Sequence, residues 1–112
     1  GAGKSILIDA LGLSLGNKAE PSMIRSGKEK AEVSAEFLID KIPRITEWLK
    51  KQELDDESFC ILRRVLVKNG RSRSFINNKA VPQSILKELG GLLIQINGQN
   101  THQLFIKKLF IS

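Results

Sequence analysis

The chain has 112 residues, 41% hydrophobic and 27% charged, with a formal net charge of +6. That length fits one domain with its own core, and no apolar run approaches the ~20 residues that a membrane-spanning helix needs. The lone Cys60 excludes an internal disulfide framework and a cysteine metal cluster; the basic balance permits a polyanionic partner such as nucleic acid without demonstrating one, because acids are mixed among the lysines and arginines.

The first residues, Gly1-Ala2-Gly3-Lys4-Ser5, match the second half of a phosphate-binding loop, a glycine and four residues followed by Gly-Lys-Ser/Thr. The first glycine of that pattern, and the strand that leads into it, are expected before residue 1. Glycines let backbone N–H groups turn inward around an anion with no Cβ in the way. Lys4 offers a point charge to the outer phosphates, and Ser5 a hydroxyl to a phosphate-bound Mg²⁺. A glycine-rich helix start with no ligand is the other reading of the same residues. The apolar run after Ser5 predicts a helix from Lys4 to Leu15, stopped at Gly16 by a left-handed cap, with its N-terminus toward the phosphates. Its apolar residues go almost all round, so burial on several sides is expected.

Asn17 to Lys30, with Pro21 and Gly27, reads as a long connection. Ala31 to Ile39 alternates, with Val33, Ala35, Phe37 and Ile39 on one face and Glu32, Ser34 and Glu36 on the other, as in a half-wet antiparallel strand. Pro43 to Gln52 predicts a short amphipathic helix with Ile45, Trp48 and Leu49 on its stripe, Trp48 as packing rather than a stacking platform. Ser58 to Lys68 is a β-rich run that carries Cys60 as buried packing. Asn69-Gly70 turns it back into a partner strand, Arg71 to Asn77. A second turn at Asn77-Asn78-Lys79 precedes a helix from Pro82 to Leu89 that Gly90-Gly91 ends. Leu92 to Ile96 then reads as a strand buried on both faces. The polar loop Asn97 to Gln103 follows that strand's C-terminal end, where open α/β sheets place ligands. Asn100 and Gln103 form a capping box for a last helix, Thr101 to Phe110.

A helix after a phosphate loop, then antiparallel strands, a hairpin, a helix, a strand and a glutamine-bearing loop is an unusual order among P-loop proteins. It resembles the N-terminal lobe of ABC-type ATPase heads, in the branch similar to structural-maintenance-of-chromosomes (SMC) proteins. Five blocks narrow the resemblance to the bacterial RecN family of DNA-repair proteins. They are Gly1 to Leu11, Ile24-Arg25-Ser26-Gly27, Ala31-Glu32-Val33, Gly70 to Asn77, and Ile96 to Gln103.

The resemblance implies an α/β P-loop fold of ABC/SMC-like type: an N-terminal lobe with a mixed sheet, an antiparallel hairpin and its first strand missing. Residues 1–112 would run from the phosphate loop to just past the Q-loop. ATP and Mg²⁺ are the implied cofactors. The backbone of Gly1, Ala2 and Gly3 would cradle phosphate oxygens, Lys4 would bind the β and γ phosphates, and Ser5 would coordinate Mg²⁺. Gln99 would reach the metal or the attacking water, making it the candidate catalytic residue; a loop amide bonded to its own backbone is the bland alternative. Gln99 is expected beside the phosphate loop, on the premise that Leu92–Ile96 runs parallel to the lost first strand. Arg25 would sit in a loop near nucleotide or DNA, or serve as an ordinary surface cation; His102 and Gln103 would lie near the site or as solvated first-turn residues. Implied partners are DNA and a second head in a homodimer, in the cytoplasm at the nucleoid, during double-strand break repair and recombination. The sequence lacks the coiled coil, the signature motif and the Walker B carboxylate, so hydrolysis by this fragment alone is not expected. A non-catalytic basic nucleic-acid-binding module is the rival. It is disfavoured by the Gln-bearing loop and by the absence of Tyr, with most Phe at core-like positions.

Overall fold

The computed structural model describes residues 12–17, 24, 26–56, 58–68, 72–97 and 105–111, the last stretch as backbone. A five-stranded sheet is ordered β4-β3-β2-β1-β5, with β1 at Lys30–Leu38, β2 at Phe59–Val67, β3 at Arg73–Ile76, β4 at Lys79–Val81 and β5 at Phe105–Ile111. Helix α1, Pro43–Lys51, joins β1 to β2, and helix α2, Gln83–Asn97, joins β4 to β5. The expected α/β lobe and its antiparallel hairpin are present. Where a mixed sheet is expected, every pairing among the described residues is antiparallel.

Alternation in β1 fixes its register. Val33, Ala35 and Phe37 face the core and stand opposite Arg64, Leu62 and Cys60 of β2. A one-residue slip would turn this whole set to solvent. The helices cover that face. Ile45 and Leu49 of α1 and Leu86, Leu89, Leu93 and Ile96 of α2 close one apolar cluster with Phe37, Leu62 and Ile76. A smaller cluster joins Leu13 and Ile24 to Val33 and Leu66. Trp48 is only half-buried, and its indole N–H donates to Glu88 Oε2 of α2 at 2.7 Å, in keeping with a packing role.

The second turn is tighter than the sequence suggests. Asn77 and Asn78 both adopt positive φ, 49° and 69°, so the chain reverses in two residues and Lys79 pairs with Ile76. Asparagine tolerates this region better than most residues, and the mirror-image turn matches strand twist. The short strand β4 that results is not expected from sequence. Asn77 also secures the neighbouring loop. Its Oδ1 accepts from Ile61 N at 2.8 Å, and its Nδ2 donates to Leu54 O at 2.7 Å.

Two expected elements are corrected. The strand Leu92–Ile96 is instead the last part of α2, which runs straight through Gly90-Gly91. Leu86, Leu89, Leu93 and Ile96 are all 2% exposed or less at steps of three and four, which is helical spacing, whereas Ile94 is 57% exposed. Gly90 does not stop the helix. A Cβ there would lie 1.9 Å from the carbonyl oxygen of Leu15, so glycine serves close packing between backbones. The helix Thr101–Phe110 is likewise replaced over most of its length by β5, which pairs with β1 along Val33–Leu38. An open edge of β1 offers a row of backbone partners, and that long-range pairing outweighs the local capping signal at Asn100.

Candidate nucleotide site and the packing behind it

Gly1, Ala2, Gly3, Lys4, Ser5 and Gln99 lie outside the described residues, as do Arg25, His102 and Gln103. The structure describes segments that adjoin them in sequence: the turn at residues 12–17, and α2, which ends at Asn97.

The helix end at residues 12–17 follows from Gly16, whose φ is +103°. Gly16 N donates to Leu13 O at 3.1 Å and Asn17 N to Gly12 O at 3.0 Å, the paired bonds of a left-handed glycine cap. The expected stop at Gly16 is therefore observed. The cap also lets two backbones meet. A Cβ on Gly16 would stand 2.7 Å from Lys87 Cα, and one on Gly90 would collide with Leu15. One glycine on each element thus seats the first helix's end against α2.

Arg64 closes the other side. It is 1% exposed on the core face of β2, between Leu62 and Leu66. One terminal nitrogen donates to Leu13 O at 3.1 Å and to Asn17 O, and the other to Ser72 Oγ at 3.1 Å. Its Nε is buried without a partner. Burial pulls its pKa below the ordinary guanidinium range, although a group that basic stays charged at neutral pH. Two of its acceptors are carbonyls at a helix C-terminus, where the macrodipole favours a cation. Arg63, the adjacent residue, faces the opposite way. It pairs with Glu32 at 2.7 Å, and its guanidinium lies 4.1 Å from the centre of the Phe75 ring. Arg63 and Arg64 are adjacent in sequence but lie on opposite faces of β2. The alternation Cys60, Leu62, Arg64, Leu66 is the signal that separates them.

Cys60 is fully buried, and that burial pushes its thiol up to about 12, consistent with inert packing. Among the described residues, no group of three or more His, Cys, Asp or Glu is placed to hold a metal ion. No helix among them is long and apolar enough to cross a membrane.

The fold so built is that of an SMC-type ATPase head. A solved chain from work on the ATP-driven dimerization and DNA-stimulated activation of SMC ATPases superposes with a TM-score of 0.58 at 22% identity, over 84% of this chain and 60% of that one. No protein-family model matches the sequence. Individual relatives do. DNA repair protein RecN of Vibrio cholerae is 54% identical over 107 residues, that of Haemophilus influenzae 48% over 110, and that of Bacillus subtilis 34% over 108. Each alignment takes in 96% of this chain. The chain thus matches DNA repair protein RecN along nearly its whole length, and it spans about a fifth of the length of these relatives, 19–20%.

Proposed function

We propose that residues 1–112 are the ATP-binding part of an SMC-like ATPase head that acts on DNA in double-strand break repair and recombination. The observation that carries this reading is the Gly3-Lys4-Ser5 motif, followed by an apolar run that predicts a helix, in a chain that matches RecN over nearly its whole length and has an SMC-type head fold. In this proposal the backbone N–H groups of Gly1 to Gly3 bind phosphate oxygens, and Lys4 supplies the positive charge. Ser5 and Gln99 offer a hydroxyl and an amide oxygen. Both are hard, uncharged oxygen donors of the kind Mg²⁺ accepts alongside phosphate and water. The metal supplies charge neutralisation at the transferred phosphoryl group when bound. Gln99 orients the attacking water or the metal, and so acts on hydrolysis more than on binding.

The proposed partners are DNA and a second head in a homodimer, and the proposed location is the bacterial cytoplasm, at the nucleoid. Support comes from the SMC study's own subject, ATP-driven dimerization with DNA stimulation. The net charge of +6 is compatible with a DNA partner.

The test is binding of a fluorescent ATP analogue with Mg²⁺ to the full-length protein, together with steady-state hydrolysis. Lys4→Ala removes a charge-assisted contact and is expected to weaken binding at least about tenfold. Gln99→Ala is expected to slow hydrolysis at least about tenfold with binding nearly unchanged. Nucleotide affinity indifferent to Lys4→Ala would refute the reading.

A further inference from the structure

We propose that Arg64 is a positioning residue for nucleotide binding: from inside the core it fixes the capped end, at residues 12–17, of the helix that Gly3-Lys4-Ser5 is expected to open. The inference rests on the nucleotide reading above and concerns a residue some sixty positions from the phosphate motif.

Three segments converge on this one side chain. Its own strand β2 carries it, Ser72 leads into β3, and Leu13 with Asn17 belongs to the capped helix end. Leu13, Ile24, Val33 and Leu66 form an apolar cluster at this place, and the small Ser74 stands opposite Arg64 on β3. A methionine would fill such a space without the desolvation cost of a buried cation, and removing buried charge in this way is often neutral or stabilising. Packing therefore does not account for a guanidinium here. Its contacts do: they constrain where the helix end sits relative to two strands.

That constraint matters because helices move as stiff rods. The helix expected from Lys4 to the cap is ~18 Å long at ~1.5 Å per residue. A tilt of ~5° about the cap would displace its first turn by ~1.6 Å, on the scale at which misplacement costs up to ~100-fold in reactions that need exact positioning. The glycine contacts at Lys87 and Leu15 seat the cap against α2, whereas Arg64 ties it by side-chain hydrogen bonds to the sheet. The electrostatics agree at both ends. The cation lies at the helix C-terminus, and the phosphates are proposed for the N-terminus, each at the favoured pole of one dipole.

The experiment compares full-length wild type, Arg64→Met, Arg64→Lys and Lys4→Ala. It measures affinity for a fluorescent ATP analogue with Mg²⁺, the KM and kcat for ATP, and thermal unfolding with and without Mg-ATP. Arg64→Met is expected to stay folded at the assay temperature. Its nucleotide affinity should fall about tenfold, KM should rise with it, and the stabilisation by Mg-ATP should shrink in proportion. Arg64→Lys, which keeps the charge but not the fork, should recover part of that loss. A folded Arg64→Met with wild-type affinity, whatever its melting temperature, overturns the proposal and leaves Arg64 a structural residue. If Arg64→Met does not fold, Arg64→Lys decides: weaker affinity supports positioning and unchanged affinity overturns it. Wild-type binding by Lys4→Ala would overturn the nucleotide reading itself, and this proposal with it.

Discussion

Adjacent glycines in α2 are expected to respond to the same substitution with opposite signs. Gly→Ala in a helix interior gains about 0.5–1 kcal/mol from backbone entropy alone. Gly91 has nothing within 4 Å of the position its Cβ would take, so Gly91→Ala should realise that gain in full. Gly90→Ala receives the same credit but drives a methyl to 1.9 Å from Leu15 O. The obstacle is backbone, held on its other side by the close approach of Gly16 to Lys87. Helix and cap must therefore part by about 1 Å, loosening Leu15, Leu86 and Leu89 together, and overpacking of this kind costs about 1–3 kcal/mol or more. Net destabilisation of roughly 1–2 kcal/mol remains, a fall in Tm of roughly 4–15 °C at about 4–8 °C per kcal/mol for a domain near this size. Gly91→Ala should raise Tm by a few degrees on the same scale. Thermal unfolding followed by circular dichroism at 222 nm measures both. Two shifts of the same sign would mean that α2 does not cross the first helix at Gly90.

Asn77→Ala leaves Leu54 O and Ile61 N without their partners and places alanine at a φ of 49°, so a loss of about 2–4 kcal/mol is expected from urea unfolding. Asn77→Gly keeps the turn conformation and should isolate the hydrogen-bond part; a loss below about 1 kcal/mol for the alanine variant would contradict the assigned contacts. Cys60 should resist thiol reagents at pH 8 until the protein unfolds. Because burial raises its pKa from 9.0 to about 12, the unfolded thiol ionises first, and its contribution to stability, complete below pH 9, is lost as pH rises toward 12. The slope is at most ~1.4 kcal/mol per pH unit and should vanish in Cys60→Ala, as seen by comparing urea midpoints at pH 8 and 10.

Much of this fold could be read from local chemistry. Val33, Ala35 and Phe37 announce a one-sided strand through a period of two, and the structure buries those residues. Gly16 announces a left-handed cap and adopts one. The failures share a cause, which is that the deciding partner is remote in sequence. Gly90-Gly91 looks like punctuation until Leu15 is placed against it. Thr101–Phe110 looks helical until the edge of β1 is found to pair with Phe105–Ile111. Arg64 looks like surface charge until its strand's register turns it inward, onto carbonyls at Leu13 and Asn17. The phosphate motif is legible because its chemistry is contiguous: Gly3, Lys4 and Ser5 are neighbours. The proposed joining of Lys4 to Gln99 depends on a tertiary arrangement that no spacing encodes, and with Leu92–Ile96 helical, the parallel-strand argument for it no longer holds.

The seat of the first helix also has a timing. Residues 12–17 leave the ribosome early, whereas Arg64, Lys87 and Gly90, which hold them, are made later. At about 5–20 residues per second, synthesis from Leu15 to Gly90 takes roughly 4–15 s, and for that interval the capped end has no α2 to rest on. An apolar segment that includes Leu13 and Leu15 is thus exposed on the nascent chain longer than any other part of this core. Strands β1 to β4, paired β1 with β2, β2 with β3 and β3 with β4, can close in order behind it.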